Sequence, residues 1–121
     1  MARWNDRIEE RTGLPILTIP FYDEHYEVVP TLEKYVCGGL AIELWELETG
    51  DPWSTLTVNL GVGNDRAQTI DTNNNHGPIC EYLEEVGVAK RNGMTVRSGF
   101  CEYPVMVFDE EFLDTLSRFK F

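Results

Sequence analysis

Two strand-like stretches joined by a four-residue turn constrain the fold of this chain more than any other feature. Tyr35–Leu47 carries Leu40, Ile42, Leu44 and Trp45 with polar residues between several of them. Glu48-Thr49-Gly50-Asp51 then supplies a glycine for positive φ, and Trp53–Leu60 sets Trp53, Thr55, Thr57 and Asn59 against Ser54, Leu56, Val58 and Leu60. That pattern predicts a β-hairpin whose second strand has one apolar face. Tyr26–Val29 is short and β-prone, and Ala67–Thr72 adds a strand centred on Ile70. The latter ends in an Asn-rich turn, Asn73 to Asn75, where Asx side chains bond their own backbone. Leu14–Pro20 is apolar but holds Pro15 and Pro20, which suits an edge or an extended connection.

From Pro78 the apolar period changes from two to about three and a half. Ile79, Leu83 and Val86, with Tyr82 beside them, form one stripe, while Glu81, Glu84 and Glu85 take the outer face. Pro78 suits a helix start, and Gly87 followed by Val88 suits a glycine C-cap. The chain is then expected to turn through Lys90-Arg91-Asn92-Gly93 and return as a strand over Phe100–Phe108, with Pro104 implying an edge or a bulge. Asp109 begins a last helix with Phe112, Leu113, Leu116 and Phe119 on its apolar face. Met1–Thr12, with Trp4 and Ile8 at helical spacing and Gly13 and Pro15 beyond, predicts a short first helix. The expected class is α+β: one antiparallel sheet of about four to five strands with two to three helices on one face.

A chain of 121 residues has the usual size of one domain, with roughly two-thirds of its unfolded surface buried, so residues 1–121 are read as a single domain. Three Trp, five Tyr and six Phe can supply a core despite a net charge of -11. The N-terminal segment mixes Arg3, Arg7 and Arg11 with Asp6, Glu9 and Glu10, which is neither a signal peptide nor a membrane span, and a cytoplasmic protein is expected. Cys37, Cys80 and Cys101 form no C-x-x-C pair and leave an odd count, so they read as buried thiols rather than a disulfide framework or a zinc ribbon.

Charge narrows the partners. Asp and Glu number 21 against 10 Lys and Arg, and between Thr12 and Asp65 nine acids face one base, Lys34. Such a surface repels nucleic acid and attracts proteins that themselves bind phosphate. Glu43, Glu46, Glu48 and Asp51 surround the predicted hairpin with Trp53, and Glu110 and Glu111 open the last helix; these are the candidate partner-binding residues. Trp45 and Trp53 serve as anchors if exposed, and as core otherwise. A solvated, solubilising surface competes with this reading, and acids at a helix start are also explained by its dipole. Like charges held together repel, however, a cost that solubility alone does not require.

A set of segments in the second half has a family likeness: Thr57-Val58-Asn59-Leu60, Asp71-Thr72-Asn73-Asn74, Leu83-Glu84-Glu85 with Gly87, Ser98-Gly99-Phe100-Cys101 and Tyr103-Pro104. Over roughly residues 35 to 112 the chain resembles a small family of uncharacterised bacterial proteins, a domain of unknown function met on conjugative elements and phages. The resemblance brings no activity and no site residues. It implies a setting of mobile-element accessory genes, where small acidic cytosolic proteins are often inhibitors of host defence. The resulting expectation is a non-enzymatic binding protein that presents carboxylates where phosphates would lie, a DNA mimic for a basic, nucleic-acid-binding host protein.

Two other classes are weighed against it. An enzyme or metal-dependent module would use Asp71, His76 and Cys80, since His76 and Cys80 are four apart at a helix start. Two ligands are not a site, and His25 and Cys101 would have to converge from afar. Asp71-x-Asn73-x-Asn75 has the oxygen spacing that begins a calcium loop, but Gly77 falls at the seventh position and Tyr82 stands where the bidentate Glu belongs. An Asx-stabilised turn is the better account. Gly61 and Gly63 start no phosphate-binding motif, so no cofactor is expected. The cluster of Lys90, Arg91 and Arg97 is read as neutralising nearby helix carboxylates or a helix C-terminus. The third class is a self-associating structural protein, a homodimer paired through Leu14–Pro20 or Phe100–Phe108.

Overall fold

The computed structural model describes residues 3–36, 38–75 and 78–119. The strands form two four-stranded antiparallel sheets rather than one. The first is ordered β1-β2-β3-β4, built from β1 (Leu17–Phe21), β2 (Glu24–Lys34), β3 (Leu40–Glu46) and β4 (Pro52–Thr55). The second is ordered β5-β6-β8-β7, from β5 (Thr57–Val58), β6 (Ala67–Ile70), β7 (Ala89–Ser98) and β8 (Cys101–Phe108). Two helices, α1 (Ile79–Glu85) and α2 (Glu110–Ser117), complete a mostly β, broadly α+β fold.

The register explains the first sheet's core face. Leu17 pairs with Val28, Pro30 with Leu44 and Leu32 with Ile42, so alternate residues of three strands point the same way. Leu17, Ile19, Val28, Leu40, Ile42 and Leu44 are all buried. Pro30 lies beyond the last β1 pairing and has a strand neighbour on one side only, which is where a proline is tolerated. Pro104 is placed the same way: it pairs with Thr95 of β7, and β6 reaches only as far as Val105. The expected strand Phe100–Phe108 is therefore an inner strand, and β7 is the edge.

The continuous strand expected over Trp53–Leu60 is broken at Leu56. The Leu56 N–H donates to the Ile42 carbonyl (2.8 Å) in the first sheet, while its own carbonyl accepts from Asp71 N–H (2.9 Å) just after β6 of the second. Thr57 Oγ1 accepts from Ile42 N–H (3.1 Å), closing the crossing. The period slips here: Leu56 and Thr57 are both buried, whereas Val58 and Leu60 are half-buried. One hydrophobic cluster unites both sheets and both helices, with Leu56, Ile70, Met106, Phe108 and Phe112 at its centre.

The predicted first helix is absent: the described residues 3–12 are turns. Trp4 is buried edge-on against Phe112 (5.3 Å between centroids), its backbone N–H bonded to the Val86 carbonyl, but Ile8 is 43% exposed, so there is no second apolar anchor for a helical stripe. The segment instead folds back on 14–16, with Glu9 N–H to Leu14 O and Ile16 N–H to Arg7 O. The Glu9 carboxylate accepts from Arg11 N–H and Thr12 Oγ1, and the Arg11 bond in particular holds its pKa below the usual range.

The remaining helix signals hold. Gly87 (φ 81°) ends α1, with Val88 N–H returning to the Leu83 carbonyl, and Asp109 caps α2 by accepting from Phe112 N–H (3.1 Å). Lys90–Gly93 is not a turn but part of β7, whose register slips between Arg91 and Thr95. Among the described residues no helix is long and apolar enough to cross a membrane.

Candidate functional site

The β1–β2 and β3–β4 hairpin turns lie at the same end of the first sheet, because Val28 pairs with Glu46 and Leu47 N–H reaches the Glu27 carbonyl. At that end the core face finishes in rings. Phe21 stands perpendicular to Trp53 (5.6 Å, 83°) and to Tyr22 (4.6 Å, 82°), and Tyr26 lies tilted against Trp53 (5.5 Å, 36°). Phe21, Tyr26 and Trp53, with Ser54, Thr55, Asp71 and Asn74, line an open cavity of about 640 Å³.

The polar wall of this cavity is built by the Asn-rich turn. Asp71 accepts from Asn74 N–H (3.1 Å) and from the Asn74 amide (2.8 Å). Buried Asn75 accepts from Ser54 Oγ (2.7 Å) and donates to the carbonyls of Thr55 (3.0 Å) and Asp71 (2.9 Å). The turn is thereby an Asx turn, locked to β4.

Acidic groups surround the rings. The Tyr26 hydroxyl donates to Glu24 (2.6 Å); this bond first, then the Glu24 charge, burial and the charge of Glu46, push its pKa up. Of the nine acids between Thr12 and Asp65, Glu27 pairs with Arg7 and Asp65 with Lys34. Among the described residues, Asp23, Glu24, Glu33, Glu43, Glu46, Glu48 and Asp51 have no basic partner.

The predicted partner-binding residues are only partly brought together. Trp53 and Glu46 both face Tyr26. Glu48 and Asp51 are exposed in the hairpin turn, and the Asp51 carbonyl accepts from Glu46 N–H (2.8 Å). Glu43 pairs with Thr31 and Thr55, and strand alternation sends it to the face opposite Ile42 and Leu44. Glu110 and Glu111 occupy the first turn of α2, and Glu111 borders a different cleft, with Trp4, Ile8 and Arg118. Trp45 is half-buried, its indole N–H donating to Thr31 Oγ1 (2.8 Å). Phe21, Tyr22 and Tyr26 escaped the sequence reading, although three aromatics within six residues across a turn were the available signal.

The Asp71–His76–Cys80 grouping is not testable as a whole, since His76 lies outside the described residues, as do Cys37 and Gly77. Among the described residues no group of three His, Cys, Asp or Glu is placed to hold a metal ion. Cys80 is a buried thiol whose pKa is pushed up by desolvation. Cys101, expected to be buried, is only partly so, near a chain turn at Gly99 and Phe100. Arg91 grips Glu84 with a bidentate contact (2.7 and 3.3 Å) plus a backbone bond and reaches Glu81 (3.2 Å), so of the predicted basic cluster Arg91 is the member seen to pair with α1 carboxylates.

Fold and site together define a small, mostly β domain with an acidic, aromatic end. The chain belongs to the family described as domain of unknown function (DUF4313), which matches residues 31–121. No curated protein and no solved structure matches the chain. Trp53 and Asp71 fall inside the matched span, whereas Phe21, Tyr22 and Tyr26 precede it.

Proposed function

We propose that this chain is a non-enzymatic binding protein that engages a basic partner through the hairpin end of its first sheet. The observation that supports the reading is that, among the described residues, Asp23, Glu24, Glu46, Glu48 and Asp51 have no basic partner at the sheet end that carries the half-buried aromatic cluster. An unneutralised carboxylate surface stores repulsion that a cationic partner relieves, and it steers such a partner over long range. The partner class is a nucleic-acid-binding protein in the cytoplasm, with carboxylates standing in for phosphates. A mobile-element inhibitor of host defence is the role that fits this chemistry.

The test is retention of partners from lysate of the native host at low and high salt, beside a Glu43→Lys, Glu46→Lys, Glu48→Lys variant. A nucleic-acid-binding protein held at low salt, and lost by the variant, is the expected result. Retention indifferent to salt and to the three changes contradicts it.

A further inference from the structure

We propose that the cleft between the N-terminal segment, the end of α1 and the second sheet binds a phosphoryl group, either free phosphate or the phosphomonoester of a small molecule. Arg3, Arg66 and Lys90 line this cleft of about 440 Å³, the first from the N-terminal segment, the second from the loop before β6 and the third from β7. The whole chain has only 10 Lys and Arg against 21 Asp and Glu, and Arg11 and Arg118 each stand as the lone base of a cleft. Three bases gathered from distant parts of an acidic chain repel one another unless an anion lies between them. Among the described residues none of the three is in an ion pair.

Two carboxylates share the cleft, and neither cancels the excess. Glu84 is taken up by Arg91, which reaches it through Nη2 (2.7 Å) and its backbone N–H (2.9 Å), while Lys90 acts on it only as a more distant charge. Asp109 caps α2 by accepting from Phe112 N–H (3.1 Å), and its charge offsets one of the three bases. A surplus of about two positive charges remains, which suits a phosphoryl dianion better than a carboxylate. The fold seats both guanidinium groups. Arg66 Nη2 donates to the Phe108 carbonyl (3.0 Å), and Phe108 N–H donates to the Arg66 carbonyl (2.7 Å). The Arg3 guanidinium lies over Gly87, where a Cβ would come within 3.0 Å of Nη1, and the next residue, Trp4, is buried with its backbone N–H on the Val86 carbonyl. Guanidinium forks held in this way match phosphate oxygens, and Lys90 adds a point charge. The cleft shares no lining residue with the hairpin-end cavity, so the proposal stands whether or not a basic partner binds there.

The experiment is an NMR titration of the labelled full chain at fixed ionic strength with inorganic phosphate and with glycerol 1-phosphate, against acetate as the monoanion control. Saturable shifts of the Arg66, Gly87 and Lys90 backbone amides are expected with the phosphates and not with acetate. Binding should strengthen as pH rises through the second phosphate pKa of about 6. Arg66→Gln and Lys90→Gln should each weaken it roughly twofold to fivefold, and Arg118→Gln should leave it unchanged. Lys90 is exposed on β7, so its variant carries the test if Arg66→Gln unfolds. Tighter binding of glycerol 1-phosphate than of phosphate assigns the cleft to a phosphomonoester, and equal or weaker binding assigns it to free phosphate. Four results overturn the proposal: no saturable shift with either phosphate, equal shifts with acetate, unchanged affinity in folded Arg66→Gln and Lys90→Gln, or binding of a single-stranded oligonucleotide where neither small phosphate binds.

Discussion

The ring of Tyr26 lies 5.5 Å from that of Trp53, centroid to centroid, although the two residues come from different hairpins. The contact joins β2 to β4 at the end of the sheet where Glu24 and Glu46 both raise the Tyr26 pKa. Aromatic area and uncompensated negative charge thus share one end of the first sheet.

Asn75 holds that end to the second sheet. Its amide is buried and fully bonded to Ser54, Thr55 and Asp71. Asn75→Ala would strand these partners and should destabilise the protein by about 2–3 kcal/mol in chemical denaturation. A loss of less than about 0.5 kcal/mol would show that the turn and β4 are not coupled through this side chain.

Gln68 fills a tight space between two glycines. A Cβ on Gly63 would sit 2.3 Å from its Nε2, and one on Gly39 2.1 Å. Its carboxamide is buried and its Oε1 is bonded by Thr69 N–H (2.9 Å), so it has little freedom to retreat. Gly63→Ala should cost roughly 1–3 kcal/mol, and adding Gln68→Ala should recover part of it. Strictly additive losses would contradict this packing.

The Arg91 grip on Glu84 has a pH signature. Side-chain and then backbone hydrogen bonds from Arg91 hold the Glu84 pKa below its ordinary value. A depressed folded-state pKa contributes stability above the ordinary Glu range, and that stability disappears as pH falls through the folded-state value. Relative to the native chain, Glu84→Gln should be less stable by about 1 kcal/mol near neutrality, and the difference should shrink in acid. Thermal melts of the two proteins from pH 7 down through the Glu range check the sign; a gap that widens in acid would refute it.

Burial raises the Cys80 thiol pKa against the opposing influence of Arg91, whereas Cys101 is partly accessible. Timed alkylation at neutral pH, read by peptide mass spectrometry, should modify Cys101 well before Cys80. Equal rates would mean that α1 opens readily.

The two helices were legible in the sequence because their signals are local: Gly87 after a stripe of Ile79, Leu83 and Val86, and Asp109 before Phe112. So were the Gly50 turn and the Asx turn at Asp71. The break at Leu56 was not, since it is made by backbone bonds to Ile42 and Asp71, which are distant in the chain, and the slip of period shows only in the burial of both Leu56 and Thr57. Lys90–Gly93 reads as a turn because an exposed edge strand has no buried face to set a period. At the candidate site, Trp53 and Glu46 were legible from the hairpin. The opposing rings were not, because Phe21 and Tyr26 meet Trp53 only through the register of β2 and β3 and the return of β4.

The most direct test of the basic-partner account is a titration with a fluorescent Lys/Arg-rich peptide at low and high ionic strength, run on the native chain and on the Glu43→Lys, Glu46→Lys, Glu48→Lys variant. Saturable binding at low salt, weakened at high salt and lost in the variant, is predicted. Binding that is equal in both proteins, or absent from the native chain at low salt, would contradict it.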